Sequence, residues 1–521
     1  MLGKAEDGRY QKLRSGFGSR AQFFFFGFFQ LQALLAWMFS LPFWLAMRRE
    51  GPLDLGDFIG LAIGVVAFAG ETVADVQLAR FRSDPSNRGK TCRRGMWRYS
   101  RHPNYFCEWL YWWVYVAVAW TAPLGWMTLF APALMLFFLL KVTGIPATEA
   151  QAILSRGDDY RDYQRTTSMF IPWFPVLSGT ELAERGWLPD FLIRWGIRRL
   201  LASRLRQEAR LGCEGLSDLH REFVAELRRS PIALHTESAN EQHYEVPAAY
   251  FERVLGPHRK YSSCLWPKGQ TDLGRAEQLM LELTCERAQL MDGMDILELG
   301  CGWGSLSLFI AERFPTSRIH AVSNSASQRE FILAQSAARG ISNLTVETCD
   351  MNDFATSRSY DRVVSIEMFE HLRNYEELFA RISRWMKPTG KLFAHVFYHS
   401  RCAYPFETDG DNDWMARHFF TGGLMPSADL LLEFQRDLLL EDRWLVNGQH
   451  YQKTLEAWLV RHDAARERVL SIFETTYGHE LAPLMFRRWR MFYLACAELF
   501  GFRGGEEWGV AHYLFHKRED A

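Results

Sequence analysis

No two of the nine cysteines in this 521-residue chain form a CxxC pair: they fall at 92, 107, 213, 264, 285, 301, 349, 402 and 496, without regular spacing. That pattern argues against a zinc ribbon and against a disulfide framework, and it fits a reducing, cytoplasm-facing chain. Charge of one sign is lacking too. Sixty Lys and Arg stand against 61 Asp and Glu, a net charge of -1, so nothing draws the whole chain toward nucleic acid or an anionic surface. At 521 residues the chain is too long for one core, and at least two domains are expected.

Charge is absent altogether from residues 23 to 47, "FFFFGFFQLQALLAWMFSLPFWLAM", long enough to span a hydrocarbon layer of about 30 Å as a helix. The run is longer than the apolar core of a signal peptide and lacks a small-residue cleavage site. Further apolar stretches at about 57 to 74, 105 to 121 and 123 to 141 bring the expected number of spans to four. Between the second and third of the four, Arg80, Arg82, Arg88, Lys90, Arg93, Arg94, Arg98 and Arg101 face one acid, Asp84. The positive-inside rule makes that loop cytoplasmic, and an even number of spans then places both termini and everything after about residue 145 on the same side. The loop either sets topology alone or also binds an anion such as a dinucleotide phosphate, which the arginine fork suits.

"YSRHPNYF" within residues 74 to 113, followed by "YRDYQRTTSMFIPWFP", resembles the DUF1295 branch of the steroid 5α-reductase-like membrane proteins, over about residues 5 to 176. The resemblance implies an all-α transmembrane bundle, and NADPH faced by Arg82, Arg101, Asn104 and Tyr105, with Glu108 and Tyr160 nearby. Members of that branch carry additional membrane helices before the point where this chain starts, so a shortened version is expected.

"LSGTELAERG", residues 177 to 186, holds turn residues without apolar periodicity and marks a boundary. The expected domains are 1 to 178 (transmembrane), 179 to 245 (linker and helical lead-in) and 246 to 521. In the lead-in, Leu188, Phe191, Leu192, Trp195, Leu200 and Leu205 alternate with arginines. That is an amphipathic helix, packed either on its own domain or on the cytoplasmic leaflet.

"DILELGCGWGSLSLFIAERFP", residues 295 to 315, reads as strand, glycine turn and helix, and four more β runs follow at 318, 344, 361 and 391 with helical patterns between them. Such alternation predicts a doubly wound, mainly parallel Rossmann-like sheet that binds its ligand at the carboxyl ends of the strands. A dinucleotide fold would offer an acid at the end of the second strand, where this chain has Ser323, Asn324 and Ser325. "HTESANEQHYEVP", "YSSCLW", "LELGCGWGSLSL", "SIEMFEH", "DWMARHFFTGGLMPS", "NGQHYQKTLEAWL" and "AELFGFRGGEEWGVAHYLF" resemble the class I S-adenosylmethionine (SAM) methyltransferases, and within them the cyclopropane-fatty-acid synthases and their plant branch, the coclaurine N-methyltransferases. By position the resemblance implies SAM contacts from Tyr261, Ser262, Gly300, Cys301, Gly302, Gly304, Asn324, Gln328 and Asp350.

The short stretch "VVSIEMFEHL" sets Glu367, Glu370 and His371 behind four β-formers, where an unpaired buried carboxylate is costly. A metal site is not expected of them, since zinc motifs of this type place ligands at i and i+4 on a helix. In the synthases, the resemblance implies, a bicarbonate base is held by Glu, His, Tyr and Cys; the matching positions are Glu370, His395, Tyr451 and Ser263, with Cys264 one residue later. Glu367 discriminates. Bacterial fatty-acid synthases have a small residue there, whereas the coclaurine type carries "IEMFEH" around a substrate amine. His371 is as much a candidate helix cap as a catalytic group. Two acceptors follow: an unsaturated acyl chain of a membrane phospholipid, with any methylene product reduced by NADPH in the N-terminal half, or a small amine, with that half as an anchor.

Overall fold

The structure is a computed structural model that describes residues 21–142, 144–174, 179–234, 246–406 and 414–518. It divides into two compact units, Met1–Leu177 and Ser178–Ala521.

The N-terminal unit is helical. Among the described residues three helices are long and apolar enough to cross a membrane: Ala21–Met47, Leu55–Ser83 and Gly125–Arg156. The second begins at a capping box in which the Asp54 side chain accepts the Gly56 and Asp57 N–H groups while Asp57 returns the bond to Asp54 N. The count is three and not the expected four, because residues 105 to 121 do not make one long helix. They lie in two short ones, Pro103–Tyr111 and Trp113–Val118. Two of their aromatic residues pack inside the unit: Phe106 and Trp109 each meet the Phe170 ring with centroids 5.7 Å apart. With three helices of crossing length among the described residues, the parity argument for both termini on one side no longer follows.

The second unit is built on a seven-stranded sheet. Its strands are β1 (Asp295–Leu299), β2 (Arg318–Ser323), β3 (Leu344–Thr348), β4 (Tyr360–Ile366), β5 (Met386–His399), β6 (Leu438–Val446) and β7 (Trp508–Lys517). The spatial order is β3-β2-β1-β4-β5-β7-β6, parallel from β3 to β5, with β7 inserted antiparallel between β5 and β6. Strands covered on both faces explain the continuous apolar runs: Ile296, Leu297 and Leu299, or Val363 and Val364, are fully buried. The first five strands lie where the β runs are expected. β6 and β7 complete the sheet beyond them.

The lead-in folds as a 40-residue helix, Asp190–Arg229, kinked at Gly212 with φ 66°. One face packs on its own unit through Ile193, Ile197, Leu201 and Leu205. On that face Arg194 reaches Glu456 at 2.5 Å and Glu498 at 2.8 Å, and Arg198 also pairs with Glu498. The opposite side leaves Phe191 and Trp195 exposed at 69% and 58%, with Trp187 just before the helix at 62%. Arg185 and Arg199 stack over Trp187 and Trp195.

Candidate functional site

A cavity of the second unit opens at the carboxyl ends of β1, β2 and β4, where a doubly wound sheet presents its crevice. The chain leaves β1 through a turn of positive φ at Gly300 (77°), Gly302 (52°) and Gly304 (75°), and the helix Ser305–Arg313 starts at once. Each glycine answers to something different. A Cβ on Gly300 would stand 2.5 Å from Met368 Cγ, whereas a Cβ on Gly302 would meet nothing within 4 Å and would project into open space. Gly302 therefore leaves room for a ligand to lie against bare backbone. The turn is pinned because Gly300 N and Cys301 N both donate to Val322 O at 3.0 Å.

Around this cradle lie Tyr261, Ser262, Asn324, Gln328 and Asp350, all lining the same cavity as Gly300, Cys301 and Gly302. Gln328 is held from beneath, its Oε1 accepting the Ser323 hydroxyl at 2.7 Å. Of the positions expected at SAM, Gly304 alone is not on the cavity wall; it sits behind, where a Cβ would meet Ile332. The set fits a nucleoside sulfonium: bare glycine backbone, an acid at 350 and polar ends on β2. Two groups went unnoticed in the sequence. Glu298 lies on the cavity floor bonded to the Ser307 hydroxyl, and burial lifts its carboxyl to about 7. Lys260, 2% exposed, donates to Ser262 Oγ and, at 2.8 Å, to Ser263 O.

The far wall carries Glu367. It follows β4 at φ 47°, a left-handed conformation that side chains rarely hold, secured by its N–H donating to His395 O at 2.8 Å. Its Oε1 accepts from Ser263 N at 2.9 Å and from His395 Nε2 at 3.2 Å, and its Oε2 accepts the Tyr451 hydroxyl at 2.6 Å. Burial raises its pKa, while Lys260, the Ser263 N–H and the Tyr451 hydroxyl pull it back. His395 continues inward. Its Nδ1 meets His512 Nε2 at 2.9 Å, and His512 Nδ1 meets Arg287 NH1 at 2.9 Å. Burial holds both imidazoles well below their ordinary pKa.

Glu370 and Glu367 part company here. Glu370 is fully buried behind the wall, its Oε1 accepting Phe397 N at 2.7 Å and its Oε2 without a hydrogen-bond partner among the described residues. Burial and the neighbouring Glu367 push its pKa well up. His371 lines the cavity with its ring parallel to Phe420, centroids 5.2 Å apart. Ser263 is buried and meets Glu367 through its backbone; Cys264 is buried beside it with its thiol pushed up by burial. A bicarbonate held by His395 and Tyr451 does not fit this arrangement, because both donors are already spent on Glu367.

In the N-terminal unit the four residues expected at NADPH have these surroundings. Arg82 lines a basic pocket with Arg88, Lys90 and Arg156. Arg101 is buried, paired with Glu149 at 2.8 Å and donating to Gln164 O at 2.6 Å. Asn104 donates to Asp75 at 3.1 Å, and the Tyr105 hydroxyl lies 3.3 Å from Thr148 Oγ1.

Comparison with known proteins places these features. Residues 233–505 match the model of the mycolic acid cyclopropane synthetase family, and residues 1–167 that of DUF1295, a family of unknown function. The chain is 38% identical over 346 residues to (S)-coclaurine N-methyltransferase of Thalictrum flavum subsp. glaucum, covering 64% of this chain and 94% of the relative. It is 30% identical over 273 residues to cyclopropane-fatty-acyl-phospholipid synthase of Escherichia coli (strain K12), covering 52% and 66%. A crystal structure of coclaurine N-methyltransferase bound to N-methylheliamine and SAH superposes with TM-score 0.63 at 37% identity, covering 65% of this chain and 98% of that one.

Proposed function

The chain is a SAM-dependent methyltransferase of the mycolic acid cyclopropane synthetase family, and from that premise we propose that its acceptor is a small amine deprotonated by Glu367. The observation that carries this is the carboxylate itself, on the cavity wall and gripped by three donors. An alkene acceptor passes through a carbocation and needs a base only afterwards, whereas an amine arrives as an ammonium and must lose a proton before it can attack.

Bound in the glycine cradle, SAM supplies a methyl on a sulfonium, whose S–C bonding pair returns to sulfur as the N–C bond forms. The protein's part is to bring the amine in line and to take its proton. Glu367 Oε1 already accepts two donors and Oε2 only one, so the ammonium proton passes to Oε2, beside the Tyr451 hydroxyl. Tyr451, Trp458, Phe397, Phe420 and Phe492 line the cavity, an aromatic wall of the kind that attracts a cation. Glu370 and His371 support this wall. SAM is held by Tyr261, Ser262, Asn324, Gln328, Asp350 and the Gly300–Gly304 turn.

A second reading, transfer to an unsaturated acyl chain of a membrane phospholipid, draws support from the exposed Trp187, Phe191 and Trp195 beside Arg185 and Arg199, and from three helices of crossing length. Both readings take the N-terminal unit as a multi-pass membrane anchor. No hydride step is assigned to it. Methyl-labelled SAM incubated with the protein in lipid, with mono-unsaturated phospholipid or a panel of secondary amines, tests the two. Label in amines, abolished by Glu367→Gln, is the expected result; label in acyl chains alone overturns the amine reading.

A further inference from the structure

Glu367, His395, His512 and Arg287 form a continuous line of hydrogen bonds from the cavity wall, across β5 and β7, to the helix Leu273–Arg287. The line has one consistent direction. A guanidinium is donor only, so where Arg287 NH1 meets His512 Nδ1 the imidazole nitrogen accepts. A neutral His512 then carries its proton on Nε2 and donates to His395 Nδ1, and a neutral His395 in turn donates from Nε2 to Glu367 Oε1. Reversing any one bond would set two donors, or two lone pairs, face to face.

We propose that Arg287 and His512 are positioning residues of the methyltransferase site: they lock His395 in the Nε2–H tautomer and so keep Glu367 Oε1 an acceptor, leaving Oε2 to take the substrate proton. Neither residue touches the cavity. This assignment rests on the amine reading for its consequence but not for its geometry. The line is also closed at its far end. Arg287 has no lone pair, so a proton gained by Glu367 has no exit through the two histidines and leaves by the cavity mouth with the product. Burial and the cations Lys260 and Arg287 both oppose imidazolium on His395, and Arg287, Lys260 and His395 oppose it on His512.

Other groups bear on the same charge. Lys260, Tyr451, Cys264, Glu370 and Cys496 surround Glu367, and Glu286 and Asp442 face Arg287, which also stacks over Trp444 at 5.0 Å. None of these hydrogen-bonds to either imidazole, so the tautomers depend on Arg287.

The test is made on the full chain in detergent or nanodiscs. Imidazole ¹⁵N spectra, with each histidine assigned by its loss in His395→Gln or His512→Gln, are expected to show both as Nε2–H tautomers between about pH 6 and 8. In Arg287→Met the acid limb of kcat/KM for a cyclic secondary amine is expected to move up by about one pH unit. The KM for SAM should stay unchanged, and Arg287→Lys should hold the acid limb near its wild-type position. An Nδ1–H tautomer on either histidine of the wild-type protein overturns the proposal, as does an acid limb in Arg287→Met that superposes on the wild type. If the wild-type protein methylates no amine, the functional reading fails by itself and the tautomers still decide the positioning role.

Discussion

The Tyr451 hydroxyl donates to Glu367 Oε2 at 2.6 Å, joining the helix Gln449–Ala464 to the end of β4 across the cavity wall. That bond touches the oxygen assigned to proton transfer, so the two residues differ in what their loss removes. Glu367→Gln keeps the shape and removes the base; methyl transfer to an amine is expected to fall about 100- to 10,000-fold. Tyr451→Phe removes one donor and should cost about tenfold, through one charge-assisted hydrogen bond. SAM affinity, measured by calorimetry, should be unchanged in Glu367→Gln.

The pH profile follows from the raised pKa of Glu367. The carboxylate is the active form, so activity is present above its pKa and is lost as pH falls through it. Because the folded value lies above the ordinary glutamate value, the acid limb of kcat/KM should appear above pH ~4.3. In Tyr451→Phe it should move higher still, since a donor to the anion has gone. Rates taken with saturating SAM across the acid range check both.

Much of this was legible beforehand, and the physical reasons are particular. β1 and β4 are buried on both faces and read as unbroken apolar runs, and the Gly300–Gly304 turn betrays itself because no other residue tolerates those φ values cheaply. Glu367 stood out as a carboxylate behind a buried strand. What escaped depends on distance along the chain. Arg287 and His512 are 225 positions apart and meet only because β7 inserts beside β5. The aromatic stretch 105 to 121 looked like a span because composition does not reveal that Phe106 and Trp109 turn toward Phe170. The helix Asp190–Arg229 offered two readings, packed or interfacial, and it packs by one face while exposing the other.

Gly300→Ala should damage the cradle in two ways. The residue sits at φ 77°, and its new Cβ would stand 2.5 Å from Met368 Cγ. The backbone conformation alone costs an L residue about 1–2 kcal/mol. Met368 adjoins Glu367, so the displaced side chain should also disturb the base. A loss of SAM affinity together with a lower melting temperature is expected. Gly302→Ala meets nothing in the protein. It should melt closer to the wild type while still binding SAM more weakly, and calorimetry beside thermal unfolding separates the two.

Glu298 gives a prediction about stability in place of rate. Its carboxyl is fully buried on the cavity floor, with the Ser307 hydroxyl bonded to it, and its pKa rises to about 7. A carboxyl with a folded pKa above its unfolded value favours folding when protonated. That contribution is complete below the unfolded value of about 4.3 and is lost as pH rises toward 7. Glu298→Gln retains the shape and a donor or acceptor for Ser307 without the charge. The variant should therefore match the wild type near pH 4.5 and exceed it at pH 8, by about 2–3 kcal/mol at most on the linkage relation. Denaturant unfolding at the two pH values, followed by a probe in the second unit, measures the difference. An equal gap at both would mean that Glu298 is charged throughout that range, its folded pKa not raised.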